Sequence, residues 1–575
     1  MQKKLGFWMS SMLIACTTAA LVACGGGGVV PSTGVSTRAL SADFSTRKAA
    51  SYSPFRTANR DTETVTDAHV LQDLNLLSQG GFKLIRLFDS SDTVAARVLR
   101  LIDANPSLDI KVMLGAYIVS ESSPYLNDSQ RASNRVLNQA EVARAVALAN
   151  SYRNIVAAVS VGNETMVSWS FVPSSTAVMA GYITSVRNQI TQPVTTDDNW
   201  AFFAGVNTEP NDPKPILNAV DFVSVHTYPL ADSLYNTWDW RQPSAVAMMD
   251  GAIAKAKADV NAVRANLDGR GFANLPIVVG ETGWKATITN GESSRASPAN
   301  QRMYYDRLVT WAAGAGAPKA IIYFEAFDEP WKGADDGWGL FNVSRTPRCV
   351  IKDLYPLITP ETSSCTDSQA LYYIAPSSHG AVTANRYTAY ADTVTPGEAR
   401  PVESARFDAW NGTTASYPQS AGAAAPSDAG NGITITPTPE VWGWGVILDM
   451  PNSTEDLSNF NVPSGRLNFS INTTYAGKLE IGFYTGSAAT STGYDVYLPI
   501  SSGQYGYVND GAWHAVSIPI SAIVARGAPA YGMPNTATLN MTQIPSLFVI
   551  ADRYAVTGNT TQNTSIKLDA IFWSK

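Results

Sequence analysis

The sequence predicts a (β/α)8 barrel followed by an all-β sandwich of the jelly-roll type. Three observations lead there. Between Ala49 and Phe324, eight short apolar runs alternate with stretches of helical periodicity, the pattern of a closed parallel sheet wrapped in helices. After Cys365 the helical periodicity disappears, and short alternating segments are separated by Gly, Asn, Ser and Pro, as in antiparallel sandwiches. Finally, 575 residues, 45% of them hydrophobic, suffice for two or three domains with large cores. The expected boundaries are a signal segment at 1–23, a flexible tether at 24–47, the barrel at 48–366 and the sandwich at 367–575.

The N-terminus is a targeting segment and stands outside the fold. Lys3 and Lys4 precede an apolar run from Leu5 to Ala23, which ends in Leu21-Val22-Ala23-Cys24 before four glycines. This resembles a bacterial lipoprotein signal, which implies that Cys24 is lipidated and becomes the first mature residue. An ordinary secretory signal or a short membrane span is the alternative. Gly25, not Asp, follows the cysteine, and by the same resemblance the expected destination is the outer membrane of a bacterial envelope. No other apolar run reaches the ~18 residues a spanning helix needs. Cys16 falls within the removed peptide. Cys349 and Cys365 remain, and an oxidising compartment makes a disulfide between them the expectation.

The eight predicted strands are Ala49–Phe55, Leu84–Phe88, Ile110–Gly115, Ile155–Val161, Pro193–Thr196, Phe222–Val225, Leu275–Val279 and Ala320–Phe324. Amphipathic helical stretches fill most gaps, among them Val94 to Ile102, Gln139 to Asn150 and Ala245 to Asn266. A doubly wound open sheet is the competing arrangement, but no glycine-rich phosphate loop follows the early strands. In the second domain the predicted strands are Arg466–Ile471, Lys478–Tyr484, Tyr494–Ile500, His514–Ile518, Ser546–Ile550 and Ile566–Phe572. Leu371-Tyr372-Tyr373-Ile374 also reads as a strand. On that reading the Ala/Gly/Pro/Ser/Thr-rich stretch from Asn411 to Pro439 is a long loop inside the second domain.

Charged residues make up only 15% of the chain, against a usual ~25%. The net charge is -7, with no basic run beyond the extreme N-terminus. Nucleic acid is an unsuitable partner, because phosphate binding needs clustered Lys and Arg. Thr, Ser, Asn, Gly and Tyr fill the deficit, which suits an extracytoplasmic protein.

Two glutamates end predicted strands. Glu164 closes Val161-Gly162-Asn163-Glu164 after the fourth run, and Glu281 opens Glu281-Thr282-Gly283-Trp284 after the seventh. Barrel sites gather at the carboxyl ends of the strands, so the two carboxylates converge if the barrel closes. Cleaving a glycosidic bond needs a proton donor for the leaving oxygen and a carboxylate on the opposite face of the sugar. At a separation of ~5–5.5 Å the second is a nucleophile and the anomer is retained. The bland alternative makes each glutamate a loop-end partner for a nearby arginine.

The motifs Ile85-Arg86-Leu87, Val161-Gly162-Asn163-Glu164, Gly280-Glu281-Thr282-Gly283-Trp284 and Phe327-Asp328-Glu329-Pro330-Trp331-Lys332 resemble those of glycoside hydrolase family 17, β-1,3-glucanases built on a (β/α)8 barrel. The resemblance runs from about Ala49 to Pro356 and includes Gly339-Leu340-Phe341. It implies that Glu164 is the acid/base and Glu281 the nucleophile. It further implies that Asn163 holds the sugar 2-hydroxyl, that Arg86 supports the nucleophile's charge, and that Tyr228 lies beside it. Phe88 stands where the family often has tyrosine. Glu325 competes with Glu329 for a supporting role, with Glu329, paired with Lys332, preferred.

Sugar rings carry an apolar face that Trp or Tyr can stack beneath. Trp284 and Trp331 are the expected subsite residues, with Trp200 and Trp338 also near the barrel mouth and Trp311 in the core. His226 is expected to hydrogen-bond beside Tyr228 rather than to act as acid or base. The four histidines show no zinc spacing, and no Gly-x-Ser-x-Gly elbow is present.

Asp510-Gly511-Ala512-Trp513-His514-Ala515-Val516, Ile518-Pro519-Ile520, Asp552-Arg553-Tyr554 and Lys567-Leu568-Asp569-Ala570-Ile571-Phe572-Trp573 resemble strands of carbohydrate-binding jelly rolls. Trp442 and Trp444 form either a glycan platform or part of the sandwich core. The resemblance also implies that a structural calcium ion is possible in this domain, with no assignable ligands. A spacer role is the alternative. The expected protein is thus a lipid-anchored, monomeric endo-β-1,3-glucanase that needs no organic cofactor. Glucan transglycosylation and non-catalytic surface glycan binding are the competing functions.

Overall fold

The structure is a computed structural model. It describes residues 37–575 apart from 168, 207–210, 235–236, 290–291, 293–294, 375–376, 392–397, 402–404, 410–412, 417–431, 438–442, 488–491, 531–532 and 554–563. The proposed signal segment with Cys16 and Cys24, the first part of the tether, Trp442 and Tyr554 lie outside the described residues. So does most of the stretch from Asn411 to Pro439.

Eight parallel strands close into a barrel in chain order. They are β1 (Lys48–Ser51), β2 (Phe82–Arg86), β3 (Lys111–Ala116), β4 (Val156–Asn163), β5 (Val194–Asn199), β6 (Val223–His226), β7 (Ile277–Thr282) and β8 (Ile321–Tyr323). All eight predicted runs become strands. The two faces of the closed sheet explain their near-continuous apolar character. One set of side chains, including Leu84, Met113, Ala158, Val278 and Ile322, packs inside the barrel. The alternate set, including Ile85, Val112, Val159, Val225 and Val279, packs under the outer helices.

The helices begin where side chains satisfy their free N–H groups. Asn127 and Gln130 form a reciprocal cap, so the helix Asp128–Ser151 starts well before the predicted Gln139. Ser244 caps Ala245–Gly269, and Ser297 with Pro298 opens Pro298–Ala312. Among the described residues, no helix is long and apolar enough to cross a membrane.

The expected tether boundary at Arg47 falls too late. Residues 42–46 form a short helix that places Phe44, fully buried, inside the barrel against Phe222. The backbone N–H of Arg38 donates to Asp221 Oδ1 at 2.8 Å. A lone Phe among Ser and Thr carries too little periodicity to announce this plug. Cys349 and Cys365 are disulfide-bonded.

Leu371–Ile374 is no strand, contrary to expectation. Leu371 exchanges two 2.7 Å hydrogen bonds with the Asn300 side chain, and Tyr373 sits edge-on to Trp240. An asparagine on a barrel helix takes the place of a neighbouring strand.

Fourteen further strands make the second domain, among the described residues. They are β9 (Ser377–Ala381), β10 (Arg386–Tyr390), β11 (Arg406–Ala409), β12 (Thr413–Ser416), β13 (Ile433–Pro437), β14 (Gly443–Asp449), β15 (Ser453–Asp456), β16 (Arg466–Thr473), β17 (Leu479–Thr485), β18 (Tyr494–Ile500), β19 (Trp513–Pro519), β20 (Gly527–Pro529), β21 (Ser546–Arg553) and β22 (Ile566–Ser574). One sheet runs β12-β13-β22-β16-β19, with β10 also on β22. The other runs β11-β14-β21-β17-β18-β20, and β9 pairs separately with β15. All six predicted strands of this domain are present. Alternate residues such as Phe469, Ile481, Phe483, Phe548 and Trp573 form its core. Trp444 belongs to that core: it is buried edge-on to Tyr475, and its Nε1 donates to Tyr475 Oη at 2.9 Å. A glycan platform at Trp444 is thereby excluded.

Candidate active site at the carboxyl ends of the barrel strands

Arg86, the last residue of β2, is the hub. It is 2% exposed and uses all three guanidinium nitrogens. Nε donates to Asp197 Oδ2 at 2.8 Å, Nη2 donates to Asn163 Oδ1 at 2.6 Å, and Nη1 donates to Glu281 Oε1. A planar fork with fixed donors suits this three-way contact, whereas a lysine would offer a single point of charge. Burial disfavours the Arg86 charge, yet the carboxylates of Asp197 and Glu281 outweigh it and raise its pKa. Asp197 shows the converse balance: burial pushes it up, and Arg86 and His226 hold it well below the usual range.

Glu281 comes from β7 and is nearly enclosed. Besides Arg86 it accepts a 2.6 Å hydrogen bond from Tyr228 Oη. Burial raises its pKa, but the charges of His226 and Arg86 and the bonds from Tyr228 and Arg86 prevail, so the carboxyl is held below its ordinary value. Tyr228 in turn packs edge-on against Phe324 and Trp338, which wall the Glu281 side of the site.

Glu164 follows β4 at φ +48°, after Gly162 at φ +88°. Its side chain is 42% exposed, against 7% for Glu281. His226, fully buried at the end of β6, stands between them. Its Nδ1 lies 2.9 Å from Glu164 Oε1 and 3.5 Å from Glu281 Oε2. Laid end to end, these contacts put Glu164 Oε1 and Glu281 Oε2 no more than about 6.4 Å apart. Burial disfavours the imidazolium, but Glu281, Asp197 and Glu164 push its pKa up to about 10.

A second cluster lies beyond β8. Lys332 Nζ sits 2.5 Å from Glu325 Oε2 and 2.6 Å from Glu329 Oε2, so it serves both glutamates rather than choosing between them. Burial pushes Glu325 well up despite Lys332, whereas for Glu329 the lysine outweighs burial and lowers the carboxyl. Trp331 Nε1 donates to Glu329 Oε1 at 3.0 Å, and the Arg60 guanidinium covers one face of its ring.

The site thus gathers Arg86, Asn163, Glu164, His226, Tyr228 and Glu281 from four strands or their ends. Two predicted contact residues do not reach a substrate. Trp284 is fully buried, tilted against Tyr304 with Nε1 donating to Arg295 O at 2.8 Å. Its position after β7 turns the indole into the shell of helices. His226 has no exposed surface and meets carboxylates instead of sugar. Trp338 is also buried. Among the described residues, the exposed aromatics of the β3 and β4 loops are Tyr117 and Tyr125 after β3 and Trp169 and Phe171 after β4. Sequence reasoning passed over them, and over Asp197 and Asp198, which end β5. The signal available was the run Thr195-Thr196-Asp197-Asp198-Asn199, unusually polar for a barrel strand. Among the described residues, no group of three or more His, Cys, Asp or Glu is placed to hold a metal ion.

Residues 49–342 match the BtgE/BtgC glycoside hydrolase domain, and residues 399–569 match carbohydrate binding domain 30. A glucan 1,3-beta-glucosidase of Arthroderma benhamiae is 22% identical over 305 residues, which is 50% of this chain and 85% of that protein. A glucan 1,3-beta-glucosidase of Saccharomyces cerevisiae is 36% identical over 86 residues, 13% of this chain and 26% of that protein. An endo-laminarinase from Formosa Hel1_33_131 superposes with a TM-score of 0.48 at 24% identity, covering 57% of this chain and 90% of that one.

Proposed function

This chain belongs to the BtgE/BtgC glycoside hydrolase family, and on that premise we propose that it cleaves β-1,3-glucan by double displacement. Glu281 is the nucleophile and Glu164 the acid/base. The observation that carries this reading is the shared contact with His226. It keeps one oxygen of each carboxylate within about 6.4 Å of the other, which accommodates the ~5–5.5 Å spacing of a retaining pair.

The environments divide the labour. A nucleophile must be ionised, and Arg86, His226 and Tyr228 favour the Glu281 carboxylate. An acid/base must reach the leaving oxygen and then a water, and Glu164 is the open one of the two. Glu281 attacks the anomeric carbon while Glu164 protonates the departing oxygen. Water, deprotonated by Glu164, then displaces Glu281. Asn163 gives its Oδ1 to Arg86, which leaves its amide N–H to a sugar 2-hydroxyl. The second domain, which matches a carbohydrate-binding family, holds glucan near the cleft. Cys24 is the proposed lipid attachment point, and metabolic labelling with a tagged fatty acid tests it.

A 2-deoxy-2-fluoro laminaribiosyl fluoride tests the chemistry. The expected result is a stable adduct on the peptide containing Glu281. Inversion of the anomer, or an adduct on another residue, overturns the assignment. Products longer than the laminarin substrate would indicate that sugar intercepts the same intermediate.

A further inference from the structure

We propose that Asp198 is the positioning residue for Glu164: it holds the left-handed turn after β4 that presents the acid/base carboxyl to the cleft. The proposal rests on the reading of Glu164 as acid/base.

Asp197 and Asp198 are neighbours on β5, so their side chains leave opposite faces of the sheet. Asp197 turns inward to Arg86. Asp198 turns to the β4 loop and is fully buried there. Its Oδ2 accepts the N–H groups of Thr165 and Met166, both at 2.9 Å, and its Oδ1 accepts the N–H of Asn199 at 2.9 Å. Two of the three partners of this buried carboxylate are therefore the peptide donors immediately following Glu164.

The turn needs such a hold. A non-glycine residue in the left-handed region costs roughly 1–2 kcal/mol, and Glu164 is there at φ +48°. Its own peptide groups are fixed on both sides. The Glu164 N–H donates to Asp197 O at 2.9 Å, and Ser170 Oγ donates to Glu164 O at 2.5 Å. Asp198 fixes the next two N–H groups. The Glu164 side chain, by contrast, is largely open and touches His226 alone among these partners. Its aim is set by backbone, whereas that of Glu281 is set by contacts to its own carboxylate.

A carboxylate is the group that fits. Three N–H donors converge on its two oxygens. An amide has one acceptor oxygen, and its NH2 would face another donor. Burial and the charge of Glu164 push the Asp198 carboxyl up to about 7, against the peptide N–H bonds, which favour its charged form.

The test separates aim from general stability through the leaving group. Laminarin needs a proton on its departing oxygen, whereas a dinitrophenyl β-laminaribioside does not. The measured quantity is kcat/KM, which reports the bond-breaking step. For Asp198→Asn we expect a roughly 100-fold loss on laminarin and a change below about threefold on the aryl glycoside, matching in kind the effect of Glu164→Ala. Equal losses on both substrates, or none on laminarin, overturn the proposal. If Asp198→Asn does not fold, Ser170→Ala, on the exposed side of the same turn, decides by the same ratio. If Glu164→Ala itself shows no selectivity between the substrates, the acid/base reading fails, whatever Asp198 does.

Discussion

At the end of β7, Glu281 sits in a closed shell of Arg86, Tyr228 and His226, and these three contacts fall on its own carboxylate. At the end of β4, Glu164 stands half in solvent, and the contacts that place it fall on the peptide groups around it. The same side chain is thus made into two different acids by its surroundings. Enclosure with cations stabilises charge, while exposure on a rigid turn gives access to a leaving group and then to water. The contrast makes unequal demands on stability as well as on chemistry, and four measurements test it.

The largest effect is expected from Glu281→Gln, which keeps the shape and removes the proposed nucleophile. Turnover of laminarin should fall by at least ~10³-fold, while calorimetry still detects oligosaccharide binding. Full activity in this variant would sink the assignment of the β7 carboxylate.

Next comes the charge network. Arg86→Met leaves Glu281 and Asp197 buried without their guanidinium partner, and chemical denaturation should show a loss of about 3–5 kcal/mol. Glu164→Gln, at the open strand end, should stay within about 0.5 kcal/mol. Similar losses in both variants would erase the distinction between the two ends.

A smaller change follows from Tyr228→Phe, which deletes one hydrogen bond to Glu281. A bond to a charged group contributes about 1.5–3 kcal/mol, so kcat should drop roughly 10- to 100-fold. Tyr228 helps to lower the Glu281 carboxyl. Without it the carboxyl rises, and the acid limb of the pH–rate profile should move to higher pH. A limb that stays put would disconnect Tyr228 from the nucleophile.

The gentlest test is stability against pH. The raised value of His226 means that its contribution is complete below its unfolded value of 6.5 and is lost as pH rises through about 10. Glu281, with a lowered value, contributes above its unfolded 4.5 and loses that contribution as pH falls through its folded value. Denaturation midpoints should therefore be highest between these two unfolded values and decline toward alkaline pH. A His226→Gln variant should flatten the alkaline decline.

Much of this architecture was legible in the sequence because its signals are local. Eight short apolar runs alternating with helical stretches announced the barrel, and the polar residues that follow the fourth and seventh runs announced the strand ends near Asn163 and Glu281. What failed to show was local poverty of signal. Phe44 alone could not reveal that residues 38–47 plug the barrel, since one buried ring has no periodicity. Leu371–Ile374 has strand composition, but the side chain of Asn300 answers its backbone. Trp284 stands three residues from the nucleophile, yet distance along the chain does not say which side of the sheet a loop side chain will take.

By itself the sequence determined where the eight barrel strands and six of the sandwich strands lie, and that two glutamates stand at strand ends. Those properties follow from polarity repeats over a handful of neighbouring residues. Only the tertiary structure decided what each glutamate became. Arg86, Asp198, His226 and Tyr228 reach the pair from three other strands, separated from them by tens of residues or more. Burial and Coulomb forces act across space, so the charge state and the aim of these two carboxylates exist only once the barrel has closed.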